Sequence, residues 1–295
     1  DTLIRTLRDV NHRMLADLDT VTLVDGRARF VGERTVEVSG GEDRLTVTAP
    51  TVVVNTGAVP SRPDLPGIDS PRVHDSTSLQ HADPFPRRLA ADAVLLATGR
   101  RPATDDLGLE AAGIDVDERG AIVVDEHLRT SAHGVFALGD VHGGAQQTYL
   151  SLDDHRIVLS QLAGDGSRST SDRVAVPTAT FLTPPLAAVG LTEAEAREQG
   201  RNVLVATQKV AAIKAMPRPK TLGDPRGLVK IVVDAGTDEI LGARLFHVDA
   251  QEVINLIALA MRAGTTAAQL RDGIWTHPSS TEALNETLGK LAPVE

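Results

Sequence analysis

The 295-residue chain contains no cysteine. That absence excludes structural disulfides and thiolate metal sites built from this chain alone. Aromatic residues are 2% of the total, too few for a base-stacking platform. Cations are outnumbered, and the formal net charge of -10 argues against nucleic acid or an anionic membrane as the main partner. No apolar run approaches the roughly 20 residues a membrane helix needs, and no signal segment opens the chain. What is present is a 41% apolar composition, enough to bury the cores of two domains in a soluble globular chain.

The stretch from Thr130 to Asp154 is the most informative. A short apolar strand, Gly134-Val-Phe-Ala-Leu138, runs into Gly139-Asp140, crosses a Gly143-Gly144 turn and starts a helix after Gln146. A strand's carboxyl end feeding a helix amino terminus is where open α/β sheets hold anionic cofactors. Gly139 allows close backbone approach, and Asp140 can accept hydrogen bonds from sugar or ribityl hydroxyls. A Gly-Asp pair after a strand is also an ordinary surface turn, so the pattern alone is not specific.

Two further motifs accompany it, Ala97-Thr-Gly-Arg-Arg-Pro-Ala-Thr-Asp105 upstream and Thr276-His-Pro-Ser-Ser-Thr-Glu-Ala-Leu-Asn-Glu286 downstream. In order and spacing, these with Ala137-Leu-Gly-Asp-Val141 make the chain resemble the pyridine nucleotide-disulfide oxidoreductases, a family that includes glutathione, dihydrolipoamide and mercuric reductases. Gln146 to Asp154, Ala215-Met-Pro-Arg218 and Asp249 to Asn255 are most similar to the subgroup linked to reactive-chlorine resistance and hypothiocyanous acid reduction. The resemblance implies an α/β fold. It comprises a partial FAD-binding Rossmann-like domain with an inserted β-meander over residues 1–166 and a C-terminal α+β dimerisation domain over 173–295. It implies FAD and NAD(P)H as cofactors, a small-molecule substrate, a homodimer and a cytoplasmic location. Hydride would pass from NAD(P)H through FAD to a cysteine pair and on to a disulfide or oxidised thiocyanate-type acceptor.

Three family features are not in these residues: the Gly-x-Gly-x-x-Gly of the first FAD-binding unit, the Cys-x4-Cys pair, and the NAD(P)H domain. The amino-terminal part of the FAD domain is expected to lie outside the chain, which opens in a helical pattern. The NAD(P)H domain is expected to be missing between Leu89 and Ala90, through a deletion or because two ordered pieces of the chain meet there across a disordered domain, and the second is preferred because nothing there resembles a turn. The chain by itself is therefore expected to be inactive.

Along the chain, Leu3, Leu7, Val10, Met14 and Leu18 fall at helical spacing. Val21–Val24, Gly26–Val31, Thr35–Val38 and Leu45–Thr48 read as strands of a β-meander joined by Asp-Gly and Gly-Gly turns. Thr51–Ala58 and Asp92–Gly99 are continuous apolar runs, which predicts strands buried on both faces, each ending in Thr-Gly. Ala121–Val124 reads as a further strand. The resemblance places Thr56 and Gly57 against the adenosine diphosphate part of FAD, gives Arg100 and Arg101 a positioning role at most, and adds Gln147 and Thr148 to the flavin contacts. Relatives usually carry an aromatic residue where Gln147 stands.

After residue 172, strand patterns at Ala175–Phe181, Asn202–Gln208, Gly227–Asp234 and Glu239–His247 give an α+β region. Thr192-Glu-Ala-Glu195 is a capping box, and Ala250–Ala263 is a helix apolar on nearly every side. The resemblance makes His277 an acid/base near the partner subunit's flavin and thiols, with Glu282 accepting a hydrogen bond from its other ring nitrogen. An imidazole titrates near neutrality, and a carboxylate on one nitrogen fixes its tautomer. Glu282 is expected at the start of a helix opened by Ser279 or Ser280, and Glu286, one turn on, at the surface. No metal site is expected. Two alternatives remain: an inert remnant serving as a dimerisation module, and another two-dinucleotide flavoprotein such as an NADH oxidase or ferredoxin reductase. His277 with Glu282 argues against the latter.

Overall fold

The computed structural model describes residues 2–40, 43–88 and 92–294. It contains two compact units, Asp1–Asp172 and Arg173–Glu295. Unit 1 opens with helix α1 (Thr2–Ala16), whose apolar stripe of Leu3, Leu7, Val10 and Met14 is exposed. An antiparallel meander follows, β1 (Arg27–Gly32), β2 (Thr35–Gly40) and β3 (Asp43–Thr48), in a register that sets Phe30 opposite Val36 and Val38 opposite Leu45. Part of the expected Gly40-Gly41 turn lies outside the described residues. Val21–Val24 forms no strand, because its alternation meets no partner to bond with.

Six short strands come next: β4 (Val52–Val54), β5 (Ala58–Pro60), β6 (Val73–Asp75), β7 (Val94–Leu96), β8 (Arg100–Pro102) and β9 (Val135–Ala137). They pair only in twos, β4 with β9 and β6 with β7 in parallel, β5 with β8 antiparallel. The two runs expected to be buried on both faces are not: Val53 of β4 and Val94 of β7 are each 43% exposed. A parallel strand is covered on both faces only where neighbouring strands and crossover helices pack against it, and each of these has a single neighbour. The residues joining β6 to β7 at 89–91 lie outside the described ones. On either side, the Asp92 amide donates to the Arg88 carbonyl at 3.0 Å and the Arg88 amide to the Asp92 carboxylate at 3.0 Å.

The doubly buried strand is β9. Val135 and Ala137 face Phe30, Val54, Leu109, Ile114 and Ile122, while Phe136 and Leu138 face Leu128, Ile157 and Val158. The last two belong to helix α2 (Thr148–Ala163). Strand alternation thus places one half of β9 in each of two apolar clusters, which fixes where its carboxyl end points. Ala121–Val124 makes only isolated bridges, Ile122 to Val116 and Val124 to Thr130, rather than a strand.

Unit 2 is one antiparallel sheet with helices packed on it. Its elements are β10 (Thr178–Thr180), β11 (Leu186–Gly190), α3 (Glu193–Glu198), β12 (Val203–Lys209), α4 (Arg218–Thr221), β13 (Leu228–Asp234), β14 (Ile240–Phe246), α5 (Ala250–Arg262), α6 (Ala267–Arg271), α7 (Ala283–Leu288) and β15 (Ala292–Pro293). The strand order is β10-β11-β14-β13-β12-β15. Inward residues of the three central strands, Ile231, Val233, Ala243 and Leu245 among them, pack against Val253, Ile254 and Ile257 of α5 and Leu284 and Leu288 of α7. The capping box of α3 is present, Thr192 Oγ1 accepting from the Glu195 amide and Glu195 from the Thr192 amide. Helix α5 is not apolar-covered all round in this chain, since Leu259 is exposed.

Candidate functional site

In unit 1, β9 delivers the chain into Gly139 at φ +72°, a left-handed conformation that glycine adopts without strain. A Cβ there would lie 2.7 Å from Asn55 Oδ1, so the turn is also too close to the end of β4 for a side chain. The turn is tied from below. Asp154 on α2, 1% exposed, accepts the Gly139 amide at 2.8 Å through Oδ2, and His142 Nε2 lies 3.0 Å from the same oxygen. Both residues fall in the Thr130–Asp154 stretch, but neither had a role there; the signal available was the acidic pair Asp153-Asp154 in a helix that otherwise buries Ile157 and Val158. The Asp140 carboxylate has no hydrogen-bond partner among the described residues. Helix α2 begins at Thr148 with Gln147 as its N-cap residue, extended and without a capping side chain, and Gln147 Oε1 is buried without a partner among the described residues. Gly139, Asp140, Gln147 and Thr148 therefore surround one turn.

Thr56 and Gly57 follow β4, beside this turn, but the threonine hydroxyl is turned inward. Thr56 Oγ1 donates to the Ala103 carbonyl at 2.8 Å, and the Ala103 amide returns a bond to the Gly57 carbonyl at 2.9 Å. The second Thr-Gly repeats the device: Thr98 Oγ1 donates to the Ser61 carbonyl at 2.7 Å, and the Ser61 amide donates to the Gly99 carbonyl at 2.8 Å. Both pairs brace the β5–β8 ribbon. Beside it, Arg100, Arg101 and Arg119 line a cavity of about 270 Å³ with Gly143 and Gln146. Arg100 donates to the Ala58 carbonyl and Arg101 to Asp105.

In unit 2, His277 and Glu282 meet. His277 Nδ1 lies 2.9 Å from Glu282 Oε1, and the Ser279 amide donates to Glu282 Oε2 at 2.8 Å. Burial pushes the Glu282 carboxyl up, but the bonds from His277 and the Ser279 amide outweigh it and hold it below the ordinary glutamate range. With Nδ1–H on the carboxylate, Nε2 carries its lone pair outward on an imidazole that is 71% exposed, while the Glu282 side chain is only 15% exposed. The pair can accept and return a proton at Nε2.

Two expectations about this segment are corrected. No serine caps α7; its N-cap residue is Glu282, Ser280 Oγ donates instead to Asp249 at 2.9 Å, and Ser279 Oγ is buried without a partner among the described residues. Glu286 is not a surface residue. It accepts from the Lys214 amide at 2.7 Å, the Ala215 amide at 3.0 Å and Gln208 Nε2 at 3.2 Å. Its partners lie about seventy positions away, which no local pattern could show.

No group of histidine, aspartate and glutamate able to hold a metal occurs among the described residues, and no described helix is long and apolar enough to cross a membrane.

A strand-to-helix turn in one unit, and in the other a helix-covered antiparallel sheet with a His–Glu pair on the segment before α7, are the features with which the chain matches the flavin-dependent oxidoreductases. Residues 85–155 match the pyridine nucleotide-disulphide oxidoreductase model and residues 176–288 the dimerisation domain of the same family. The chain is 36% identical to the probable pyridine nucleotide-disulfide oxidoreductase RclA of Escherichia coli over 96% of this chain and 82% of RclA, so it belongs to the pyridine nucleotide-disulfide oxidoreductases, a family of flavoenzymes that use FAD and NAD(P)H. The solved structure described as the HOCl-induced flavoprotein disulfide reductase RclA superposes with a TM-score of 0.90, covering 97% of this chain and 83% of that one. A dihydrolipoyl dehydrogenase of Mycobacterium tuberculosis is 36% identical over 69% of this chain, and the chain spans 43% of its length. The alignment with RclA runs over 365 positions, 70 more than the 295 residues of this chain, so RclA carries at least that many without a counterpart here.

The residues present fit FAD along one wall. Beside the glycine turn at 139, the Asp140 carboxylate and Gln147 Oε1, both without a partner among the described residues, are polar groups that a ligand would satisfy. The glycine-rich turn that would cradle its diphosphate is not in this sequence.

Proposed function

We propose that the protein carrying this chain is a cytoplasmic, homodimeric, NAD(P)H-linked flavin reductase that passes reducing equivalents to a disulfide or an oxidised thiocyanate-type acceptor. In it, unit 1 supplies part of the FAD site and unit 2 the dimer contact and the acid/base. FAD, when bound, supplies the hydride relay between nicotinamide and a cysteine pair that lies outside this chain. Asp140 would accept hydrogen bonds from the cofactor's hydroxyls. Gly139 lets the backbone come close, and Thr148 at the amino-terminal end of α2 would face its polar part. His277 would hold and return a proton at Nε2, with Glu282 fixing the tautomer.

The carrying observation is the 2.9 Å contact between His277 Nδ1 and Glu282 Oε1, on a carboxylate itself held by the Ser279 amide. This geometry half-buries a carboxylate and presents an exposed imidazole, an arrangement suited to proton transfer rather than to packing. The test is His277→Gln in the flavin-loaded protein. Disulfide turnover should fall on the order of 10²–10⁴-fold, while anaerobic bleaching of the flavin by NAD(P)H is unchanged. Unchanged turnover would overturn the assignment. A second reading, an inert dimerisation module, is favoured by the absence of cysteine and of a Gly-x-Gly-x-x-Gly turn from these residues; it predicts no flavin at all.

A further inference from the structure

We infer that Asp249, held by Arg218, is a positioning residue for the His277–Glu282 pair, an inference that rests on the acid/base reading of His277. Asp249 immediately precedes α5 in a left-handed conformation, φ +65° and ψ 10°. An aspartate before a helix ordinarily caps it by accepting an amide of the first turn. Here it makes no such bond. Its Oδ2 instead accepts Ser280 Oγ at 2.9 Å and Arg218 Nε at 3.3 Å. An uncapped helix and a left-handed backbone are both unfavourable, so the bonds that replace the cap must hold the residue there.

What they hold is the segment between the two members of the pair. Ser280, 4% exposed, lies between His277 and Glu282 in sequence. The bond from the Ser279 amide to Glu282 is internal to the segment and cannot orient it. Beyond Glu282, on α7, the stretch is anchored by Asn285, whose side chain donates to the Arg271 carbonyl and, at 2.9 Å, to the Gly273 carbonyl. The Ser280–Asp249 bond is the matching anchor next to Glu282, and it fixes the segment to the start of α5, whose Ile254 and Ile257 are in the core. Arg218, bonded to the same oxygen, holds the carboxylate directed at Ser280. Ala215–Arg218 and Asp249–Asn255, two segments that look alike only as subgroup marks in sequence, are thereby joined to the candidate acid/base.

The readout is the ring tautomer of His277, taken from ¹⁵N shifts of the imidazole nitrogens and assigned with His277→Gln. The native protein should hold the proton on Nδ1. Asp249→Ala should give mixed tautomers with circular dichroism unchanged, and Asp249→Asn, which retains an acceptor for Ser280, should restore the native spectrum. Ser280→Ala removes the same bond while leaving Asp249 with Arg218, and covers the case in which Asp249→Ala does not fold. In the flavin-loaded protein that carries this chain, Asp249→Ala and Ser280→Ala should each lower disulfide turnover on the order of 10²-fold without changing KM for NAD(P)H, as displacement of a catalytic group does. If His277→Gln abolishes turnover while Ser280→Ala keeps both the native tautomer and native turnover, the positioning role is wrong and the acid/base reading stands. If His277→Gln leaves turnover intact, the acid/base reading itself fails.

Discussion

Replacing Glu286 with alanine should cost unit 2 about 3 kcal/mol of stability, roughly 1.5 kcal/mol for each backbone amide that loses a charged acceptor. The figure comes from the low end of the range because Lys214 is exposed, and it counts nothing for Gln208, whose side chain can turn to water. Glu286→Gln keeps one acceptor oxygen and should lose about half as much. Urea unfolding followed through Trp275, the single tryptophan of the chain, half-buried against the unit 2 core, measures both. The acid dependence is a second check. Burial pushes the Glu286 carboxyl up, but the bonds from Ala215, Gln208 and Lys214 pull it below the ordinary glutamate range. A group with a depressed folded pKa contributes fully above its unfolded value, about 4.3, and loses the contribution as pH falls through the lower folded value. The gap between native and Glu286→Ala should therefore be constant from neutrality to about pH 5 and shrink below about pH 4. A loss within about 0.5 kcal/mol, the range of ordinary surface substitutions, would refute the bracing role.

Gly139→Ala should destabilise unit 1 by about 1–3 kcal/mol through its left-handed backbone, visible as a lower midpoint in thermal unfolding. Asp154→Ala leaves the Gly139 amide and His142 without their acceptor, and should cost about 2–3 kcal/mol while raising hydrogen exchange at the Gly139 amide many-fold. Thr192→Ala removes a capping-box hydroxyl and should cost about 1 kcal/mol in urea unfolding, which Thr192→Ser should largely restore.

The elements legible in sequence were those whose signal is local. The α3 capping box, the long strands β12, β13 and β14, and the passage of β9 through Gly139 into α2 all follow from residue types a few positions apart. The runs at Thr51–Ala58 and Asp92–Gly99 were misread because an apolar run reports burial only where neighbouring strands exist, and β4 and β7 have one partner each. Strand β11 went unseen because Pro184-Pro185 and two alanines hide it; its place in the sheet depends on pairing with β14, more than fifty residues later. At the candidate site, His277 and Glu282 were marked by motif, five residues apart. Asp154, Asp249 and Glu286 lie in marked segments too, but their contacts were not legible there, because each carboxylate takes its meaning from amides or hydroxyls supplied by another element.

The central claim is that this chain forms part of a flavin enzyme reduced by a nicotinamide nucleotide. The most direct measurement is the visible spectrum of the protein purified from its source, recorded anaerobically before and after NADH or NADPH is added. The account predicts a flavin absorption band that bleaches with one of the two nucleotides. A protein that folds, carries no flavin and acquires none when incubated with FAD would contradict it.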